Sequence, residues 1–324
     1  MLKTVGIWRV LLLGLMALSW LFAVSGCDLA SDDGKLKIGL LPILDVLPLY
    51  VADQEGFFRD EGVQVELVPF ASALERDVAF QAGQIDGEVN DLVSTALLNK
   101  DQDRARVVRT AMRATPEKAM FVTLASGKNS ISKPADLKGV EVAVSMNTVI
   151  EYAVDRLLQA EGLAPGDIAK TDVPKIPVRL ELLDKGNVAA ACLPEPLASL
   201  AVVNGARIVV DDRSHPEYGQ SVVTVSTGAL ARKPAAMKRF LSAYERAVAA
   251  INAQPEKYRS LLIDKGRVPK PVQNSFQMPV FPQAGVPAQS EVNDVLQWMK
   301  GKSLLNKDLP YDQLVTDSYL PKRN

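Results

Sequence analysis

The sequence predicts an α/β protein of two lobes, each a mostly parallel sheet flanked by helices, joined by two crossing strands. Two observations carry this. From Lys35 to Ala253, short strand-like runs alternate with helical stretches, the order that parallel βαβ units impose. The alternation also comes in two sets, separated by the strand-rich segments "KAMFVTLAS" and "SVVTVSTGALA". These segments are the candidate crossings. They make the second lobe, residues 122–224, an insertion in a first lobe of residues 35–121 and 225–324.

In the first set, "KLKIGLLPI" (Lys35 to Ile43) alternates and then runs apolar, as a buried strand does. "VLPLYVADQEGFFRDEG" has helical spacing at Leu49, Val51 and Ala52, with Gly56 and Gly62 as stop signals. "VQVELVPF" has period two. Ser72 to Gln84 predicts a helix with Leu74, Val78 and Ala82 on its inner face, while Arg76 and Asp77 face water. "IDGEVN", "DLVSTALLNK" and "ARVVRTAM" then read as strand, helix, strand. The second set holds "VEVAVS", a helix from Thr148 to Glu161, "VRLELLDKG", "VAAACLP", "LASLAVVNGA" and "RIVVDD". A long helix from Pro234 to about Ala253 follows the second crossing, with proline suited to its first turn. The tail is proline-rich, with a short helix near Glu291 to Lys300.

The first 26 residues read as a leader. Lys3 and Arg9 precede an apolar run from Val10 to Val24, and Val24-Ser25-Gly26-Cys27 follows, the order of a secretory signal. The run is shorter than the ~20 residues a spanning helix needs. Residues 27–34 form a polar tether. Of the 324 residues, 298 remain after the leader, enough for one or two domains. Their balanced charge and lack of a basic run argue against a nucleic-acid partner. Cys192 then has no internal disulfide partner, and its apolar surroundings predict a buried structural thiol.

Four stretches carry a family resemblance: "LPLYVADQEGFFRDEGVQVELVPF", "SISKPADLKGVEVAVS", "AAACLPEPLASLA" and "VVTVSTGALARKPAAMKRFLSAYERAVAAI". In this order they resemble the periplasmic-binding-protein type 2 components of ABC importers. The nearest group is the NMT1/THI5-like one, which serves nitrate, sulfonates, taurine and thiamine precursors. Cys27 resembles the lipidated cysteine of a bacterial lipobox, although Val24 stands where leucine is commonest. The resemblance implies a monomer whose lobes close on a small molecule and deliver it to a membrane permease with its cytosolic ATPase. It implies no catalysis and no cofactor. It also implies a lipid anchor at Cys27 on the outer face of the cell membrane, the periplasmic face of the inner membrane in a Gram-negative cell.

Ligands of doubly wound sheets bind beyond the carboxyl ends of the strands. That rule selects Asp45 after the first strand, Ser72 after the second, and Asn90 and Asp91 after the third. In the second lobe it selects Ser145, Asn147 and Thr148, then Glu195; Thr224 lies in the second crossing. Glu195 also matches the Glu-Pro pair of the resembled family. Ser72 with Glu75, and Thr148 with Glu151, have capping-box spacing, so each helix start already holds a carboxylate. Such a cleft suits a neutral or amine-bearing heterocycle, such as a thiamine pyrimidine precursor, better than nitrate or a sulfonate. The exception is an arginine, Arg76 or Arg113, reaching in. Tyr50, Tyr152 and Phe281 are candidates to stack a planar ligand or to pack the core.

Enzyme readings have less to stand on. His215 is the sole histidine, and no zinc, phosphate-loop or nucleophile-elbow motif is present. The cysteine-rich iron motif of fungal THI5 enzymes has only "ACLPEP" as a counterpart. A hydrolase using Asp45, Asp91 or Glu195 as paired carboxylates is the alternative class.

Overall fold

The computed structural model describes residues 34–322. The leader, Cys27 and all but the last residue of the tether lie outside the described residues. The chain runs β1 (Lys35–Leu40), α1 (Leu47–Gln54), α2 (Phe57–Asp60), β2 (Gln64–Pro69), α3 (Ala73–Gln81), β3 (Gly87–Asp91), α4 (Leu92–Leu98) and β4 (Ala105–Met112). It continues through β5 (Phe121–Ala125), β6 (Val142–Val144), α5 (Val149–Ala160), β7 (Lys170–Asp172), α6 (Ile176–Lys185), β8 (Ala190–Pro194), α7 (Leu197–Val203) and β9 (Arg207–Asp211). Then come β10 (Ser221–Ser226), α8 (Thr227–Arg232), α9 (Pro234–Ala253), α10 (Arg259–Lys265), α11 (Gln289–Gly301) and α12 (Tyr311–Leu314).

The strands form two five-stranded sheets, ordered β2-β1-β3-β10-β4 and β7-β6-β8-β5-β9. In each, four strands share a direction and one runs against them: β10 in the first sheet and β5 in the second. The reversed strand is in each case the one by which the chain arrives from the other sheet. This is the two-lobed α/β architecture that the alternation predicts. One hydrophobic cluster includes Leu36 and Ile38 of the first sheet and Val142 and Cys192 of the second. Cys192 is buried, and burial pushes its thiol up to about 12, well away from reactivity.

The predicted face of α3 is wrong. Leu74 and Val78 are 74% and 56% exposed, Ala82 is exposed, and Arg76, Ala79 and Phe80 point inward. The inner stripe 76/79/80 is an equally good helical spacing, and it buries a phenylalanine with Ile85, Leu98 and Ala105. Gly39 lets this face come close, since a Cβ there would stand 2.5 Å from Ile85 and 3.2 Å from Arg76. Because Leu74 and Val78 meet mostly water, Leu74→Gln and Val78→Gln should each change stability by less than about 0.5 kcal/mol in urea unfolding.

Two passages, residues 113–120 and 212–220, connect the sheets. Asp212 fastens them together: its carboxylate accepts the Met120 N–H at 2.9 Å and the Phe121 N–H at 3.1 Å. Burial raises its pKa from 3.8 to about 7. A carboxyl raised in the folded state binds its proton more tightly there, so its contribution is full below the unfolded value. Stability should therefore fall as pH rises from about 4 to about 7. Asp212→Asn should flatten that stretch of the profile, measured by urea unfolding at pH 5 and pH 8.

Candidate functional site

The two passages decide which edges of the sheets meet. Ser221, which opens β10, pairs with Asp91 and Met112, the last residues of β3 and β4. Phe121, which opens β5, pairs with Pro194, the last residue of β8. Both passages therefore run from the C-terminal edge of one sheet to that of the other. Those edges are where α/β sheets bind ligands. A cavity of about 230 Å³ lined by Lys128, Asp184 and Asn204 lies at the opposite edge of the second sheet.

On the first sheet's edge the expected residues form one buried network. Asn90 donates to Glu88 at 2.8 Å and accepts from Thr224 at 2.6 Å, and the Thr95 hydroxyl lies 2.7 Å from that of Thr224. Thr224 is fully buried, so its hydroxyl faces Asn90 and Thr95. Asp91 caps α4, accepting the N–H of Ser94 at 2.8 Å and its hydroxyl at 3.1 Å. Asp45 is buried in the short turn before α1, and burial raises its carboxyl, as it does that of Asp91. Ser72 caps α3 through the N–H of Glu75 at 3.2 Å. Glu75 returns to the N–H of Ala71, one residue before the cap, rather than to the cap's own.

On the second sheet's edge, Thr148 caps α5 through Ile150 and donates to the Ser145 carbonyl at 2.8 Å. Glu151 again binds one residue early, accepting the N–H of Asn147 at 2.7 Å, where φ is 60°. Glu195, one residue before the Pro196 cap of α7, accepts the N–H of Ser199 in its first turn at 3.1 Å and the Ser199 hydroxyl at 2.9 Å. Each expected carboxylate thus has a helix end or a buried neighbour of its own, and Asp91 and Glu195 stand on different sheets.

The aromatic candidates pack rather than line the edge. Phe281 and Tyr152 are 1% and 2% exposed, and Tyr50 is half-buried beside Lys265. Arg113 binds Gln220 at 3.0 Å and Glu291 at 2.8 Å.

Among the described residues three arginines are buried, Arg109 in its pairing with Glu245 and two at the sheet edges, Arg76 and Arg179. Arg76 reaches inward to Asp77 at 2.7 Å, Glu88 at 3.3 Å and the Val89 carbonyl at 2.8 Å. Arg179, in the first turn of α6 beside the C-terminal edge of the second sheet, is 0% exposed. Among the described residues its side chain makes one hydrogen bond, to Ser145 Oγ at 3.3 Å, and its Nε and Nη2 meet no partner. Burial lowers its pKa to about 10. The signal was present in "KIPVRLELLDKG": Arg179 lies on the inner stripe with Leu180 and Leu183, where a charge needs a reason. Gln220 Nε2, just before β10, is also buried without a partner, and the Ser221 hydroxyl faces the Asp45 carboxyl.

A family model described as NMT1/THI5 like matches residues 44–258. No curated protein matches the chain. In structure the chain is similar to the periplasmic aliphatic sulphonate binding protein SsuA from Escherichia coli. There the TM-score is 0.74 at 21% identity, over 90% of this chain and 95% of that one. The alkanesulfonate-binding protein SsuA from Xanthomonas axonopodis pv. citri, bound to MOPS, gives 0.71 at 18% identity, over 87% and 98%. The periplasmic nitrate-binding protein NrtA from Synechocystis PCC 6803 gives 0.68 at 14%, over 89% and 87%. At these identities the likeness is one of fold.

Proposed function

The chain belongs to the NMT1/THI5-like family, and we propose that it is the extracytoplasmic solute-binding component of an ABC importer. It takes a small organic molecule between the C-terminal edges of its two sheets and hands it to a permease driven by an ATPase. The observation that carries this reading is the pair of passages joining those edges, which leaves one hinge and one cleft. The lobes are residues 35–121 with 225–324, and 122–224. Binding occurs without turnover, since Asp91 and Glu195 are engaged at separate helix ends instead of facing a common reacting bond.

A neutral or amine-bearing heterocycle, such as a thiamine pyrimidine precursor, is supported by the raised carboxyls of Asp45 and Asp91 on the first edge. The second reading, a sulfonate, taurine or nitrate, is supported by the partnerless amide donor of Gln220. Calorimetric titration with members of both sets tests the function. Saturable one-to-one binding with a raised melting temperature supports it, whereas chemical conversion of a bound compound would sink it. The chain is held to the membrane by lipid on Cys27 after removal of residues 1–26. Cys27→Ser should leave the leader attached and abolish labelling by radioactive fatty acid.

A further inference from the structure

The lobes repeat one another closely enough to show what Arg179 lacks. Pro69 pairs with Leu40 at the end of β1, and Asp172 pairs with Val144 at the end of β6. Helices α3 and α6 each begin four residues later, and Arg76 and Arg179 are each the fourth residue of their helix. Gly39 is paired with Glu88 in the first sheet, and Ala143 with Ala191 in the second. The two carboxylates that neutralise Arg76, Asp77 and Glu88, therefore correspond to Leu180 and Ala191. Both counter-charges are replaced by apolar side chains while the arginine is kept and buried; the carboxylate that still acts on it, Asp172 at the end of β7, makes no hydrogen bond to its Nε or Nη2.

The atoms left without partners matter as much. Nε and Nη2 together form the side-on fork of a guanidinium, and elsewhere in this chain that fork grips a carboxylate. Arg109 holds Glu245 this way at 2.5 and 3.1 Å, Arg213 holds Asp211 at 2.9 and 2.7 Å, and Arg259 holds Glu256 at 2.5 and 2.8 Å. A buried guanidinium with an unengaged fork is costly unless an anion completes it.

We propose that the transported solute supplies this anion: Arg179 Nε and Nη2 seat a two-oxygen anionic group, a carboxylate, sulfonate or phosphate, on the ligand. The inference rests on the solute-binding reading. A sulfonate, or a heterocycle bearing an acidic substituent, fits this seat, and a heterocycle with no anionic group does not. Since Arg179 is sealed in this conformation, the anionic group enters with the lobes apart and is enclosed as they close.

The test uses full-length protein in mild detergent, purified from its native host. Small molecules released on denaturation are identified by mass spectrometry. Binding is then titrated with that molecule and with matched pairs: ethanesulfonate against ethanesulfonamide, acetate against acetamide, and 4-amino-5-hydroxymethyl-2-methylpyrimidine phosphate against the free alcohol. The wild type should prefer an acidic member to its neutral isostere by at least about 100-fold. Arg179→Met should erase that preference and raise the melting temperature of the ligand-free protein, because it removes a buried unpaired charge. Ala191→Glu, which restores the first lobe's counter-charge, should also erase the preference; if it does not fold, Arg179→Met decides. A neutral ligand held equally by wild type and Arg179→Met overturns the anion seat and leaves the solute-binding reading intact. If nothing co-purifies and nothing in the panel binds, both fall. A lower ligand-free melting temperature for Arg179→Met makes the arginine structural and also overturns the proposal.

Discussion

Arg76→Met should lower the unfolding free energy by about 3–5 kcal/mol, the usual consequence of leaving one half of a buried ion pair uncompensated. Arg76 is 2% exposed and Glu88 0%. With the arginine gone, Glu88 keeps only the Asn90 amide, and the Val89 carbonyl loses its donor. Burial already raises the Glu88 carboxyl, with Arg76 the main influence opposing it. The remedy for the lost cation would then be protonation of Glu88 near neutral pH. Adding Glu88→Leu to Arg76→Met should recover most of the loss, since two apolar side chains replace two charges. Urea unfolding of the two single variants and the double variant measures the coupling. A loss below about 1 kcal/mol for Arg76→Met would restore the solvent-facing placement that the Leu74/Val78 spacing suggests.

Glu151→Ala should cost about 3–5 kcal/mol and loosen α11 from α5. Helix α11 buries Val292, Val295, Leu296 and Met299 in a cluster with Leu92, Val93 and Ala96 of α4, on the first sheet's side. Its polar residues turn the other way and hold α5. Asp294 accepts from Tyr152 at 2.6 Å and from Arg156 at 2.7 Å, and Trp298 donates to Asp155 at 2.8 Å. Lys302, just past the helix, binds Glu151, which also faces Lys170 at 3.2 Å. Glu151 therefore joins three things: the loop at Asn147, the helix it belongs to and the end of α11. Burial alone would raise its carboxyl, but Lys302, the Asn147 N–H and Lys170 hold it below the ordinary value. A lowered carboxyl contributes stability above its unfolded pKa, and that contribution is lost as pH falls through the folded value. This is the opposite sign to Asp212. Hydrogen exchange of α11 and of residues 145–148 should accelerate together in Glu151→Ala, and acceleration of one without the other would break the proposed link.

What could be read in the sequence follows from locality. Helix α9 starts at Pro234 and ends at Ala253, where proline chemistry and apolar spacing put it. The stops at Gly56 and Gly62 hold because both glycines take positive φ, 76° and 69°. Ser72, Asp91 and Thr148 cap helices because their side chains act within three residues. Strand β7 was missed because "KTD" is too short and polar to alternate. The inner face of α3 was misread because its winning partner, Glu88, lies in a strand beyond the helix, and helical spacing allows either face. The apolar stripe of its helix marks Arg179 as buried, but not as lacking a counter-charge. Nothing within its own helix reveals that Ala191 occupies the place of Glu88, and only the pairing of β6 with β8 shows it.

The most direct test is a crystal structure of the protein with its co-purified solute. The ligand should lie between the C-terminal edges of the two sheets, with an anionic group two-pronged on Arg179 Nε and Nη2 and the rest of the molecule toward Gln220 and Ser221. A ligand seated at the opposite edge, near Lys128 and Asn204, or one that leaves the Arg179 fork unengaged, would contradict the account.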